Sequence, residues 1–419
     1  MASKSDSMLS PYRVLDLTDE KGLLCGKILG DMGADVIKVE KPCGDPARSI
    51  GPFYHDEPHP EKSLFWFALN TSKRGITLNI ETTDGKELFQ RLVKTADLVI
   101  ESFQPGHLDR LGLGYSELEK VNPGVILVSI TGFGQTGPYK DWKTADIVAW
   151  AMGGEMLVWG DANHPPMRMS HHPQSYMHAG ADGVIGALNA LYQRSISGEG
   201  QQVDISIFES VIEVDTTNRI SAWQGRKQVA RRGGEGRAGG PANHVARRMY
   251  RCKDGWVSWS YRANPAVYPS KPLVKWLEDE GVSTPYVSNF DFTRPDFAQI
   301  PQEEWDQLEE PTAKFFMTKT KAELLDGAVK YGVMLYPVST TADMMGNPQL
   351  SARGFWKQME HPELKATITY PGPFVLASES PLSISRRAPL IGEHNKEIYE
   401  GELGISKEKL TVLKQARVI

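Results

Sequence analysis

The stretch GFGQTGP, from Gly132 to Pro138, follows a strand-like run and matches the G-x-G-x-x-G spacing at which glycine amides can approach a phosphate. A dinucleotide site needs more. The motif belongs in the first strand-to-helix turn, opens a helix, and is followed about 20 positions on by an acidic residue. Here it follows a late strand and is broken by Pro138, which argues against NAD. It reads as a tight turn meeting a ligand backbone-first, with Gly132 and Gly134 on the lining. If the turn faces a ligand, Lys143 is a phosphate contact and Asp146 a hydrogen-bond acceptor; otherwise the two form an exposed ion pair.

A second stretch, Tyr176-Met-His-Ala-Gly180, opens a helix of small residues that runs to Arg194. A phenol has a pKa near 10 and is mostly protonated at neutral pH, so Tyr176 is a weak nucleophile. Nearby His164, His171, His172 and His178 lack H-E-x-x-H spacing and neighbouring cysteines, so no metal is expected. His171 and His172 read as polar loop residues or as the lining of a carboxylate pocket. A basic run at Arg226, Lys227, Arg231, Arg232, Arg237, Arg247, Arg248 and Arg251 lies beside flexible glycines. It is either a solvated loop or a phosphate-binding patch, since guanidinium forks and glycine amides both suit phosphate.

The elements that must position these residues alternate. YRVLDLT reads as a strand, 22–32 as a helix, ADVIKVE as a strand, ITLNIE as a strand, DGKELFQRLVKTA as a helix, DLVIESF as a strand, and VILVSIT as another. A short helix before the last is opened by the capping-box pattern Ser116-x-x-Glu119. This pattern predicts an α/β fold with an open parallel sheet of Rossmann-like type, with ligands beyond the carboxyl ends of the strands, near Asp16, Glu40, Ser102 and Gly132. The small residues of the 176–194 helix predict close packing against another backbone. The expected domains are 1–225, a large Rossmann-like first part; 226–339, a smaller α+β domain with a hairpin at Asp254-Gly255 and helices near 303–318 and 320–331; and 340–419, returning to complete the first.

Composition sets the boundaries of function. The chain has 419 residues, 40% hydrophobic and 24% charged, which suits two globular cores. Its formal net charge of −5 argues against a general nucleic-acid or anionic-membrane binder. Cys25, Cys43 and Cys252 show no CxxC pairing, which fits a reducing cytoplasm, and no apolar run approaches the ~20 residues of a membrane span.

Ordered segments extend across nearly the whole chain: VLDLT, GADVIKVEKP-x-GDPAR, NTSKRGITLNIET, ADLVIESFQPGHLDRLGLGYSEL, NPGVILVSITGFGQTGP and PLIGEH. Together with YMHAG they resemble the class III CoA-transferases. The resemblance implies a Rossmann-like large domain, a small middle domain, and interlocked dimers. It implies coenzyme A or acyl-CoA as substrate, contacted by Lys41, Ser102, Phe103, Arg110 and Lys143. In that family an aspartate four residues before the glycine attacks the acyl-CoA thioester to give a mixed anhydride, which CoA thiolate converts to an aspartyl thioester. This chain has Tyr176 there, and a phenol forms no anhydride. Asp182 stands about 9 Å and about 240° away along the helix, a poor substitute. The family's Gly-Pro after the first strand is Gly22-Leu23. Its racemases use a histidine beside an aspartate, where this chain has Ala145 before Asp146. The resemblance therefore implies a chain without its own nucleophile, paired with an Asp-bearing paralogue in an interlocked heteromer.

Overall fold

The computed structural model describes residues 7–160, 164–214, 223–224, 235–237, 244–262 and 269–419. The expected basic-run residues 226, 227, 231 and 232, and the expected boundary at 225, lie outside them. The first unit draws on residues within 1–153, 170–216 and 349–419, and the second on residues within 154–169 and 217–348. Segment 154–169, read from sequence with the large domain, clusters with the second unit.

In the first unit the chain runs β1 (Arg13–Leu17), α1 (Leu23–Asp31), β2 (Asp35–Glu40), α2 (Leu64–Leu69), β3 (Lys73–Thr77), α3 (Thr83–Val93), β4 (Leu98–Glu101), α4 (His107–Leu111), α5 (Tyr115–Val121), β5 (Ile126–Thr131) and α6 (Asp146–Met152). After α7 (Glu155–Val158), which belongs to the second unit, come α8 (Gln174–Ser197), β6 (Gln202–Ser206) and α9 (Ile207–Glu213). The strands form one parallel sheet in the order β3-β2-β1-β4-β5-β6. Strand order reverses between β1 and β4, where an open sheet leaves a crevice for ligands. β4 and β5 are buried end to end, which is why they read as unbroken apolar runs.

The carboxyl-terminal segment closes the sheet's edge. His394 N–H donates to Gly75 O (2.9 Å), Thr77 N–H to Asn395 Oδ1 (2.9 Å), and Tyr399 Oη to Thr77 O (2.7 Å), so edge strand β3 presents few open main-chain groups. Ile398, Tyr399, Leu413 and Val418 join Phe89 and Leu92 of α3 in one apolar cluster.

Two local expectations need correction, and a third finds its partner. The strand expected at ITLNIE is KRGIT, three residues earlier: Lys73 and Arg74 are buried, while Leu78 and Ile80 leave the sheet and fill the core beside it. The Ser116–Glu119 capping box does not form; α5 starts two residues earlier, with Gly114 as its N-cap, and Gly114 lies against Asp109 where a side chain would not fit. The small-residue face of α8 finds its partner within its own chain. A Cβ on Gly180 would stand 3.0 Å from Leu24 Cβ, and one on Gly183 would stand 3.2 Å from Cys25 Sγ, so α1 takes up that face. The outer face of α8 instead exposes Ile185, Tyr192 and Ile196.

In the second unit, β7 (Glu235–Arg237) pairs with β8 (Val245–Arg247), and β9 (Met249–Cys252) with β10 (Gly255–Ser258) across the Lys253-Asp254 turn. Helices Gln302–Met317 and Lys321–Tyr331 pack beside them on a core that includes Tyr250, Trp276, Trp305 and Phe316. Thr320 and Glu323 form the capping box that starts the second helix.

Candidate functional site

A cavity of about 260 Å³ opens at the carboxyl ends of β1, β2 and β4. Its wall includes Asp19, Lys41, Ser102, Phe103, His107 and Glu81. The β4–α4 turn supplies the most ordered part. Ser102 Oγ accepts from Asp19 N–H at 2.9 Å and donates to Asp19 Oδ1 at 2.7 Å, and Phe103 N–H donates to Glu101 Oε2 at 2.7 Å. The Phe103 and His107 rings lie 4.7 Å apart, offering a flat face to a ring. Lys41 reaches across to Glu81 at 3.0 Å on the exposed rim. Burial, then the charge of Arg110, holds His107 below its ordinary pKa, which favours the neutral imidazole at neutral pH.

Glu101 lies directly behind this wall. It is 4% exposed, and its pKa is pushed up to about 7 by burial, with Asp19 adding to the rise. The Ser129 hydroxyl, the Phe103 amide and Lys21 pull the other way. A carboxyl in that range changes charge near neutral pH.

The first strand-to-helix turn is acidic. Asp19 and Glu20 occupy the place where a dinucleotide fold puts glycines over a pyrophosphate, and this is a second reason to set NAD aside. Glu40, at the end of β2, is held by Arg48 in a two-pronged pair at 2.6 and 2.8 Å, so it does not stand free for a ribose. Asp16 is fully buried: Oδ2 accepts from Lys73 Nζ at 2.7 Å, and Oδ1 from the Thr18 hydroxyl at 2.7 Å. Burial pushes Asp16 up, but Lys73 and Lys38 together hold it below the usual carboxylate range. Asp16, expected beside the ligand, is a structural charge away from the cavity wall, whereas Glu40 lines the cavity as expected but is held there by Arg48.

Tyr176 sits in the first turn of α8, 6% exposed. The residue before it, Ser175, anchors that turn to α6: Asp146 Oδ1 accepts from Ser175 N–H at 2.9 Å and from Ser175 Oγ at 2.8 Å. Burial raises the Tyr176 phenol above its ordinary pKa, and Glu20, Asp146 and Asp19 raise it further. The phenol therefore stays protonated, and its oxygen accepts from the Asp146 main-chain N–H. Glu20 is itself raised by burial and by Asp19.

Of the residues expected to contact a ligand, Lys41, Ser102 and Phe103 line the cavity together. Arg110 lies exposed on α4, three residues beyond His107, and Lys143 lies exposed in the loop before α6. Neither is on the cavity wall. Gly132 and Gly134 form a turn tied to β6, with Gln135 N–H donating to Asp204 Oδ2 at 2.9 Å. Gly134 has φ +81°, which explains a glycine there. His171 and His172 are exposed, their rings 4.0 Å apart. Among the described residues no three His, Cys, Asp or Glu side chains are grouped to hold a metal, and no helix is long and apolar enough to cross a membrane. Glu101, Asp19, Glu20 and His107 went unread in the sequence. The one available signal was for Glu101, an acid closing the apolar run LVI as Glu40 closes β2.

A parallel sheet in this order, with a cavity at its carboxyl edge and an α8 stacked on α1, defines an acyl-CoA class of protein once the match to known sequences is added. The model of CoA-transferase family III matches residues 9–395, and the chain belongs to that family. It is 33% identical over 389 residues to the succinyl-CoA:(R)-benzylsuccinate CoA-transferase subunit BbsE of Thauera aromatica, covering 93% of each chain. It is 32% identical to the succinyl-CoA–D-citramalate CoA-transferase of Chloroflexus aurantiacus, covering 98% of each. The crystal structure of a CAIB/BAIF family protein from Brucella suis matches with a TM-score of 0.79 at 28% identity, over 94% of this chain and 99% of that one.

Proposed function

We propose that this chain is the subunit of a heteromeric CoA-transferase that lacks the nucleophile, and that an Asp-bearing paralogue supplies it. The complex moves CoA from an acyl-CoA to a carboxylic acid; succinyl-CoA and benzylsuccinate are the pair favoured by the likeness to the Thauera subunit. The observation that carries the reading is Tyr176: a phenol kept protonated by burial and then by three acids, at the position that the sequence resemblance assigns to the family's attacking carboxylate. Lys41, Ser102 and Phe103 are proposed to hold CoA in the cavity, with Arg110 and Lys143 meeting the parts of the ligand that extend beyond it. The complex is placed in the cytoplasm, needs neither metal nor NAD, and binds no nucleic acid or membrane. The interlocked assembly is supported by the outer face of α8, where Ile185, Tyr192 and Ile196 are 59%, 71% and 66% exposed at helical spacing.

Trapping tests this. The chain alone, incubated with acyl-CoA and then hydroxylamine, is expected to yield no hydroxamate on its own carboxylates, whereas the co-purified pair yields one on the partner. A second reading rests on Glu20, a partly buried carboxyl beside Tyr176. It makes the chain a homomeric transferase: Glu20 attacks the thioester carbonyl, CoA thiolate leaves and then attacks the glutamyl anhydride, and the acid departs. A hydroxamate on Glu20 of the isolated chain establishes that reading and overturns the first.

A further inference from the structure

The cavity wall hangs from a buried acid that the family chemistry does not use. Glu101 ends β4, paired in register with Leu17 of β1 and Ser129 of β5, at the point where strand order reverses. Its Oε2 holds the Phe103 amide at 2.7 Å. The residue between them, Ser102, is held from the other side by Asp19. Ser102 and Phe103 thus face the cavity, with Glu101 fixing the turn from behind and Asp19 fixing it along the wall.

The charged and titratable groups facing Glu101 come from several elements. Asp19 and Lys21 belong to the turn after β1, and β5 contributes the Ser129 hydroxyl. On the cavity side lie Glu40, Lys41, Cys43, Asp45, Glu81 and His107. A polyanion entering this cavity adds negative charge in front of Glu101 in a place from which water is partly excluded, so it disfavours the ionised carboxyl. The neutral acid keeps the architecture: one oxygen still accepts from Phe103 N–H, and the new O–H donates toward Ser129 Oγ.

We propose that Glu101 is the positioning residue of this cavity and also its proton switch: it holds the Ser102–Phe103 turn, and a polyanionic ligand seated against that turn, coenzyme A on the reading above, binds together with one proton taken up from water at Glu101. The carboxyl already titrates near neutrality, so a small push by the ligand is enough. By linkage, the proton strengthens ligand binding as much as the ligand strengthens proton binding.

The test is titration calorimetry of coenzyme A into the protein as it purifies, at pH 7.5 in buffers of different ionisation heat and equal ionic strength. Wild type is expected to take up a substantial fraction of a proton, and its Kd to weaken as pH rises from 7 to 8.5, by up to about tenfold per unit. Glu101→Gln, which still accepts from Phe103 N–H, is expected to lose that uptake while its Kd at pH 6 stays within about threefold of wild type, a change near the scale of one weak contact. His107→Gln is expected to retain the uptake. Equal uptake in wild type and Glu101→Gln overturns the proposal and assigns the proton to His107 or to the ligand. Absence of CoA binding by wild type overturns the CoA reading as well, so the two failures are distinguishable. Should Glu101→Gln not fold, Ser129→Ala serves: it removes a donor to the carboxylate, leaves Glu101 already neutral, and is expected to reduce the uptake; unchanged uptake is again fatal.

Discussion

At the carboxyl ends of β2 and β4, Lys41, His107, Ser102 and Phe103 frame a cavity with donors, a ring and a cation. At the amino end of α8, in the same unit, Tyr176 stands among Glu20, Asp146 and Asp19, and neither its charge state nor its chemistry suits attack on a thioester. The two regions differ in what fixes them. The cavity is built from strand ends and main-chain hydrogen bonds, which the sheet enforces whatever the chain's activity. Tyr176 is a single side chain on a helix whose packing, through Gly180 and Gly183 on α1, is indifferent to what residue 176 carries. On the proposed function, holding a ligand and breaking its bond are therefore separable in this fold.

The sharpest way to break that contrast is to exchange the two chains' nucleophile positions. In the co-purified pair, replacing the partner's aspartate with alanine should cut exchange by about 10⁴-fold or more, the scale of losing a covalent nucleophile. Tyr176→Phe in this chain should change it by less than about threefold. A large loss on Tyr176→Phe places chemistry on this chain after all. Tyr176→Asp should not create a second centre at pH 7, because the new carboxyl inherits the burial and the three acids that raise the phenol. Its ionised fraction grows with pH, so any hydroxylamine-trapped product must increase from pH 7 to 9. A full-strength adduct at pH 6 contradicts the electrostatic account.

The next test addresses what the two regions share. Lys73 Nζ ties Asp16 of β1 to Leu23 O at the start of α1 and to Asn70 Oδ1, at 2.7, 2.9 and 2.9 Å, beneath the turn that carries Asp19 and Glu20. Lys73→Met leaves Asp16 buried without that partner and should cost about 3–5 kcal/mol in chemical denaturation. A loss under about 1 kcal/mol means that Lys38, which also lies near Asp16, can compensate alone.

The same buried charges show why part of the molecule was illegible in its sequence. Runs such as ILVSIT are apolar because both faces of the strand are covered, and they read directly as strands. The strand expected at ITLNIE leaves out Lys73 and Arg74, whose charges break an apolar run, yet one is bound to Asp16 and the other to Asp35 and Glu397, partners far away in sequence, and both lie in β3. Glycines in α8 announced close approach but not its partner, which is α1. At the site, Lys41, Ser102 and Phe103 came from resemblance and fall on the cavity, whereas Glu101 has no motif of its own. Only its place behind the wall, and the desolvation that comes with it, makes it notable.

That desolvation predicts a stability signature smaller than the others and independent of any ligand. The Glu101 carboxyl moves from an ordinary 4.5 to about 7 in the folded chain. Between those values the folded protein holds a proton that the unfolded chain has released, so stability is fully present below pH 4.5 and is lost as pH rises through 7. The shift corresponds to about 3 kcal/mol. Glu101→Gln cannot ionise and should lack this loss, so its urea midpoint should gain on wild type steadily from pH 5 to 8. A difference between the two proteins that does not change with pH would mean that Glu101 ionises as freely as a surface glutamate, leaving the wall behind the cavity wetter than its geometry implies.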